Sequence, residues 1–494
     1  MKDNYIKQNP IPSLLSLGGS FNSFGSEGGD HWFFSFYNTG NAFNYPTAMD
    51  TTIDSSGNLY MCGGLQTLGH SFVAKFDSKG VFQWGRKYEA HVIRFTGVKV
   101  DTSGNVYVAG YTGNAPSGSS YGNRFILFKY NSSGVIQWER ELGDYNSSNN
   151  NECFCLEIDN YNNLYLGGWI ESNNIGWSKS YLIAKYNSSG GLQNQQAVRF
   201  SNYIDTVHAI AYSSSIGGFW AVGLSYQISN LGYNVGYMNI ARFNSSGSYY
   251  GTKKFLGHYY GMGNATYRAF DATMNGSDLY TCCDTGGDAI ISKYNSSGTE
   301  QWCRYVVSSN TTLYPRGITT DSSGNVYVAG QSYDGSGSGT YDVFIFKFNS
   351  SGVIQWQRNF SDQGGSYQDL VGGPCIQCDN LGSFYLVLGT LTPNSDSPPR
   401  HMMVLKLPDD GSLTGTYSLT HSGSSAGSYT YSATSYPDYE RSTTYPNLIE
   451  STSSHYTSTT NPNLTSSVFT VNPNYGGDTA YTPSGGFSDF TYLA

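Results

Sequence analysis

Seven copies of a four-strand unit, spaced 51 to 59 residues apart, predict an all-β chain folded as a seven-bladed β-propeller, with eight blades as the alternative. Three observations carry this: a recurring motif, the strand pattern of its unit, and a composition poor in charge and in helix formers. Only 12% of the 494 residues are charged, where about a quarter is usual in a soluble domain. Gly (60) and Tyr (43) are abundant instead, which favours turns and strands and excludes helical and doubly wound α/β folds. At 38% hydrophobic and 16% aromatic, the chain has enough apolar surface for a core, so disorder throughout is excluded.

The motif [K/R]-[F/Y/L]-x-x-x-G starts at Lys75, Lys129, Lys185, Arg242, Lys293, Lys347 and Lys406. Upstream lies a second block: DSSGNLYMCGG from Asp54, DTSGNVYVAGY from Asp101 and DSSGNVYVAGQ from Asp321, with degenerate versions from Asp159 and Asp379. The unit parses as strand A ending at the Asp (His91–Asp101), strand B (Asn105–Tyr111), strand C (Arg124–Tyr130) and strand D (Val135–Glu141). S-G-N and N-S-S-G form the tight A–B and C–D turns, the chemistry that a hairpin meander needs. A closed ring lets such blades bury both faces and leaves few free edges.

Outside the units, Trp32–Tyr45 reads as a further C–D hairpin ahead of the first A strand. It either completes a blade with strands from the far end of the chain or sits outside the ring as an anchor. The chain divides into an irregular N-terminal arm (1–31), a propeller (32–420) and a Tyr/Ser/Thr-rich, low-complexity C-terminal arm (421–494). That last segment is too polar to build a core of its own, but its tyrosines suit wrapping over another protein surface.

The units resemble the SBBP-type repeats of seven-bladed propellers in bacterial surface proteins and phage structural proteins. The shared residues are D-x-x-G-N-V-Y-V-A-G followed by F-x-x-K-[FY]-N-S-S-G-x-x-Q-W, and the resemblance covers 32–420. It implies the architecture and leaves activity open, since propellers host unrelated functions.

Candidate chemistry reduces mostly to architecture. Of the eight cysteines, Cys62 and Cys282 share the strand-B column of Ala109, Gly167 and Ala329, and Cys155 and Cys375 share the strand-A column of Gly97 and Gly317. These columns call for small buried residues, so the thiols read as structural. Cys375-x-x-Cys378 is half a zinc site without its other half. Each D-x-S-G-N loop offers one carboxylate, too few for calcium, and reads as a self-capped turn. The N-S-S sequons at Asn131, Asn187, Asn295 and Asn349 likewise read as turns. The GxSxG matches at Gly118–Gly122 and Gly423–Gly427 lack the strand-to-helix setting of a nucleophile elbow. No cofactor and no metal are expected. The Gln-Trp pairs ending at Trp84, Trp138, Trp302 and Trp356 read as packing between blades.

The B–C loops differ, being variable in length and rich in aromatics. Tyr111 with Tyr121, Trp169 with Trp177, Tyr226 with Tyr233, and Tyr333 with Tyr341 are the candidate binding residues. The D–A loop Asp144–Glu152 shares their face.

A net charge of −9 with no basic block excludes a nucleic-acid partner. No apolar run approaches the roughly 20 residues of a membrane span. The N-terminal stretch MKDNYIKQNPIPSLLSLGGS lacks the apolar core of a secretory signal, yet the composition resembles that of extracellular proteins. The expectation is therefore a non-enzymatic virion protein of a tailed phage, in the tail or on the capsid surface. It would assemble with other virion proteins and copies of itself through its terminal arms and display the propeller to host surface glycan or to subunits. The alternative is a cell-surface or extracellular adhesin that binds glycans. A third reading, a polysaccharide-degrading enzyme, requires paired carboxylates in a cleft.

Overall fold

The computed structural model describes residues 17–24, 31–37, 46–65, 70–88, 93–112, 123–143, 150–172, 178–201, 204–228, 234–256, 268–284, 287–308, 311–333, 341–362, 368–369, 376–391, 400–421, 424–435, 438–440, 450–451, 465–468, 479–480 and 484–493. Among them every regular element is a strand except one 3-10 turn at Ser214–Ile216. Blade 2 shows the unit. Ile93–Val100, Val106–Thr112, Phe125–Tyr130 and Ile136–Gly143 pair antiparallel in the order A-B-C-D.

The turns explain why these sequences fold this way. Asp101 Oδ1 accepts from the amides of Ser103 (2.9 Å) and Asn105 (2.8 Å), and Oδ2 from Asn105 Nδ2 (2.8 Å) and the Tyr107 hydroxyl (3.1 Å). Gly104 supplies the left-handed φ of +78° that closes the turn. At the C–D turn Asn131 Oδ1 accepts from the Ser133 and Val135 amides at 3.1 and 2.9 Å. The D-x-S-G-N carboxylates and the N-S-S asparagines are thus spent on their own turns. The anchor lysine of the motif lies over the strand-B tyrosine, Lys129 Nζ being 5.1 Å from the Tyr107 ring centre.

Blades 1, 3, 4, 5 and 6 repeat the unit over 46–88, 151–198, 204–256, 268–306 and 312–362. Blade 7 takes strand A from Gln368–Asp369 and Ile376–Cys378, and B and C from Ser383–Leu391 and Arg400–Pro408. Its strand D is His31–Tyr37, from the other end of the chain. Seven apolar clusters fill the gaps between successive blades, the last joining Trp32, Tyr385 and Met402 to Leu59 and Phe72 of blade 1. The ring is therefore closed with seven blades.

Of the two alternatives for Trp32–Tyr45, its described part follows the first: His31–Tyr37 completes a blade with strands from the far end of the chain, as strand D of blade 7 and not as strand C of an eighth blade, and its other neighbour is Leu17–Phe24, upstream of it. The N-terminal arm is accordingly not irregular throughout, because pairing with blade 7 gives Leu17–Phe24 a template.

The C-terminal arm runs backwards around the rim. Ser424–Ala433 pairs with strand D of blade 6, Asp438–Glu440 with blade 5, Glu450–Ser451 with blade 4, Thr465–Val468 with blade 2 and Thr479–Ala480 with blade 1. Ser484–Leu493 ends parallel to Leu17–Phe24, so both ends of the chain meet on blade 7. Each added strand covers a D-strand edge that would otherwise present open backbone donors and acceptors.

Candidate functional site

Inner A strands line the axis, each supplying one residue two positions before its A–B turn. The column reads Thr52, Lys99, Glu157, Ala211, Thr273, Thr319 and Gln377, polar in six of seven blades. Six of these, Lys99 to Gln377, line an axial cavity of about 160 Å³. That column recurs in the repeats and was missed by reasoning from the motifs alone.

Charge in the cavity is shared unevenly. Lys99 Nζ lies 3.5 Å from Glu157 Oε2. Burial opposes the Lys99 ammonium, but Glu157, Asp50 and Asp271 outweigh it and hold its pKa above the ordinary lysine value.

Asp50 and Asp271 sit two residues nearer the loop face than that column, in blades 1 and 5, and make the same contact. Asp50 accepts from the Val98 amide of blade 2 at 2.9 Å and from Thr51 at 2.7 Å. Asp271 accepts from the Ile318 amide of blade 6 at 2.9 Å and from Ala272 at 2.8 Å. Burial raises both carboxyls to about 7, against the opposing pull of those amides and of Lys99. Each donating amide of the neighbouring blade follows a glycine, Gly97 or Gly317, and a Cβ on Gly97 would lie 2.8 Å from Leu156. A strand bulge at this level lets the inner strands approach so closely.

Cys62 and Cys282 stand opposite these aspartates on the B strands. Burial pushes both thiols well above the ordinary value, so they are packing groups at neutral pH. The seven described cysteines are buried or half-buried and none is in a disulfide; Cys375 lies outside the described residues. Among the described residues no three His, Cys, Asp or Glu side chains gather as metal ligands, and no helix is long and apolar enough to cross a membrane.

Towards the loop face an aromatic row crosses three blades. Tyr111 meets Phe154 edge-on at 6.2 Å, and Phe154 stacks on His208 at 5.5 Å and 18°. Phe154 and His208 also line the cavity, so the row joins the B–C loops to the axis. His208 Nε2 is 2.9 Å from Thr206 Oγ1.

Tyr111 is thus drawn into this row. Trp169 is 3% exposed, with Lys179 Nζ 3.4 Å from its ring centre, which makes it a packing group under a cation. Burial lowers the Lys179 pKa in spite of Glu152 and Glu171 nearby. Tyr333 is half-buried at the end of its strand, and Tyr226 and Tyr341 lie in strands B and C of blades 4 and 6. Tyr121, Trp177 and Tyr233 lie outside the described residues. The structure therefore brings Tyr111 together with Phe154 and His208, which have no place in the B–C loops and were not candidates.

The SBBP β-propeller repeat family matches residues 301–335, from strand D of blade 5 through strand B of blade 6. No curated protein matches the chain. Among solved structures it is similar to a putative 6-phosphogluconolactonase from Bacteroides fragilis, at 11% identity over 71% of this chain and 94% of the other, with a TM-score of 0.36. It is similar also to a polysaccharide lyase of family PL25, an ulvan lyase, at 8% identity over 73% and 94% and a TM-score of 0.38. A protein of unknown function from Bacteroides caccae aligns at 12% identity over 58% and 89%, with a TM-score of 0.30. The repeat match and the seven blades together make the chain a β-propeller carrying an SBBP-type repeat.

Proposed function

We propose that the chain is a non-enzymatic structural protein of a tailed-phage particle, a rigid disc that displays its loop face for contact with a host surface or a neighbouring subunit. The observation that supports it most is the two-ended closure. The N-terminal strand completes blade 7, and the C-terminal arm covers the rim of five other blades. Closure from both ends resists fraying and leaves the loops on the disc's face as the variable surface, an arrangement suited to a particle exposed to the environment. Mass spectrometry of purified particles from the phage that encodes the chain should detect it at structural copy number. Its absence from particles, with presence in uninfected cells, would overturn the reading.

A glycan-binding surface protein is the second reading, favoured by the row Tyr111–Phe154–His208, because flat rings at a cavity mouth suit stacking on sugar faces. A glycan array probed with the purified protein tests it. Binding that is lost in Phe154→Ala, with the fold retained, would support it.

A further inference from the structure

We infer that the axial cavity is a binding site for an ammonium group flanked by hydroxyls, the chemistry that a non-acetylated amino sugar presents. The class of ligand rests on the reading of the chain as a glycan-binding surface protein; the site itself rests on the cavity's own residues.

Acid is in excess in the cavity. Asp50, Glu157 and Asp271 line it, and Lys99 is the one lining lysine or arginine among the described residues. Lys99 pairs with Glu157, whose other oxygen accepts from the Ile158 amide at 2.9 Å. Asp50 and Asp271 are held by backbone amides, one to each carboxylate oxygen. Every one of those oxygens has room for a further donor. The charge of Asp50 also acts on Asp271 across the cavity, so a cation near either relieves both. Arg94 and Arg316 stand nearer the loop face and do not line the cavity. Arg94 is exposed and bonds to Tyr111, and the Arg316 guanidinium lies 3.3 Å from Gln331 Oε1. His208, the remaining lining group able to carry a positive charge, is bonded to Thr206.

Hydroxyls are the second, independent observation. Thr51 and Thr319 are 3% and 4% exposed and line the cavity, and among the described residues neither hydroxyl has a protein partner. Buried polar groups call for hydrogen bonds, so the occupant of this wall has to offer donors and acceptors of its own. Thr273 and Gln377 add a hydroxyl and an amide to the same space. A bare metal ion does not match. Calcium asks for six or more oxygens around one point, and among the described residues no three acids, histidines or cysteines gather. Size completes the description. A cavity of about 150 Å³ holds a molecule the size of benzene. At about 160 Å³ this one takes the amine-bearing edge of a sugar and leaves the rest of the ring at the mouth, beside Phe154 and His208. The ammonium then pairs with the aspartates, and Lys99 and the threonines meet the neighbouring hydroxyls.

Ligand-detected NMR titration of the purified full chain at pH 7 and constant ionic strength tests this, with D-glucosamine, N-acetyl-D-glucosamine and D-glucose as probes. Acetylation removes the charge and keeps the ring and the other hydroxyls. Glucosamine should bind about ten-fold or more tightly than the other two, and Asp271→Asn should remove about that factor. Thr319→Val keeps the side chain's shape and should weaken glucosamine about three-fold, which tests the site even where the aspartate variant fails to fold. Equal binding of the three sugars, no binding of glucosamine, or glucosamine binding unchanged in both variants would overturn the inference. Array binding that Phe154→Ala abolishes, without preference for the free amine, would sink this inference and keep the glycan-binding reading. Glucosamine bound through Asp271, with no glycan held on the array, would keep the site and sink that reading.

Discussion

The indole Nε1 of Trp32 donates to the carbonyl oxygen of Ser78 at 3.1 Å, and this contact closes the ring. The same bond links Trp84 to Ser132 (2.9 Å), Trp302 to Ser350 (3.1 Å) and Trp356 to Asp409 (3.1 Å), each from a D strand to the C–D turn of the next blade. Trp32 therefore does at the chain's seam what the Gln-Trp tryptophans do within it, although His31 stands where the others have Gln.

Trp32→Ala removes a fully buried ring from the seam and should cost about 3–5 kcal/mol in urea unfolding. Trp84→Ala should cost less, because Trp84 is half-buried and both blades that it joins are continuous in sequence. Limited proteolysis separates the two further: the Trp32 variant should be cut ahead of Pro46 under conditions where the Trp84 variant is intact.

Gly134→Ala tests the turn side of this contact. Its φ is +73°, and an added Cβ would come within 2.6 Å of the Trp84 ring. The substitution should destabilise by ~1–3 kcal/mol from strain and crowding together. In the double variant Trp84→Ala, Gly134→Ala the crowding is gone and the backbone strain remains. The two losses should sum to less than additivity; an additive pair would show that the ring and the turn do not interact.

Stability should depend on pH through Asp50 and Asp271. Their folded pKa, about 7, lies above the ordinary aspartate value of 3.8. A raised pKa means that the folded protein binds more protons than the unfolded chain between those values. The contribution is thus complete below pH 3.8 and is lost as pH rises through about 7. Asp54 and Asp410, whose pKa values are lowered, contribute in the opposite sense. Asp50→Asn and Asp271→Asn each lose some hydrogen bonding to the facing amides, so the readout is slope and not absolute stability. Chemical unfolding from pH 4 to pH 8 should show the fall in stability shallower in each variant than in wild type. An unchanged slope would mean that the carboxyls titrate normally.

Asp101→Ala leaves four donors without their acceptor in one turn. The expected cost is about 1–3 kcal/mol, with Asp101→Asn milder because Oδ1 can still accept from the two amides. Thermal unfolding of the pair in the presence and absence of calcium also separates a turn from a cation loop: the turn predicts no calcium dependence in either.

The propeller, its strand order and both turn types were legible because each blade repeats them. A column of Asp before Ser-Gly-Asn, or of Lys before an aromatic, records the same local physics several times. The partner of strand D of blade 7 was half legible: Trp32–Tyr45 could complete a blade with far strands or sit outside the ring, and because the strand pairs more than 360 positions away, Phe34 opposite Val404, only the structure decides between the two. The belt was not legible: among the described residues its ladders on blades 4 and 1 are two pairs long, which leaves no periodicity to read. At the axis the polar column was present in the repeats, yet only the ring places Lys99 against Glu157 and brings Asp50 and Asp271 within reach of its field.

The sequence by itself determined the blade, because hairpin turns, strand alternation and small-residue columns act between neighbours in the chain. The tertiary structure alone decided how many blades close, what seals them and which charges meet at the axis. Closure is a balance among seven inter-blade clusters that form together, and a seam between residues at opposite ends of the chain exists only once they have. The loop aromatics show the same division: their chemistry was evident, but burial of Trp169 and the stacking of Phe154 on His208 depend on how adjacent blades pack.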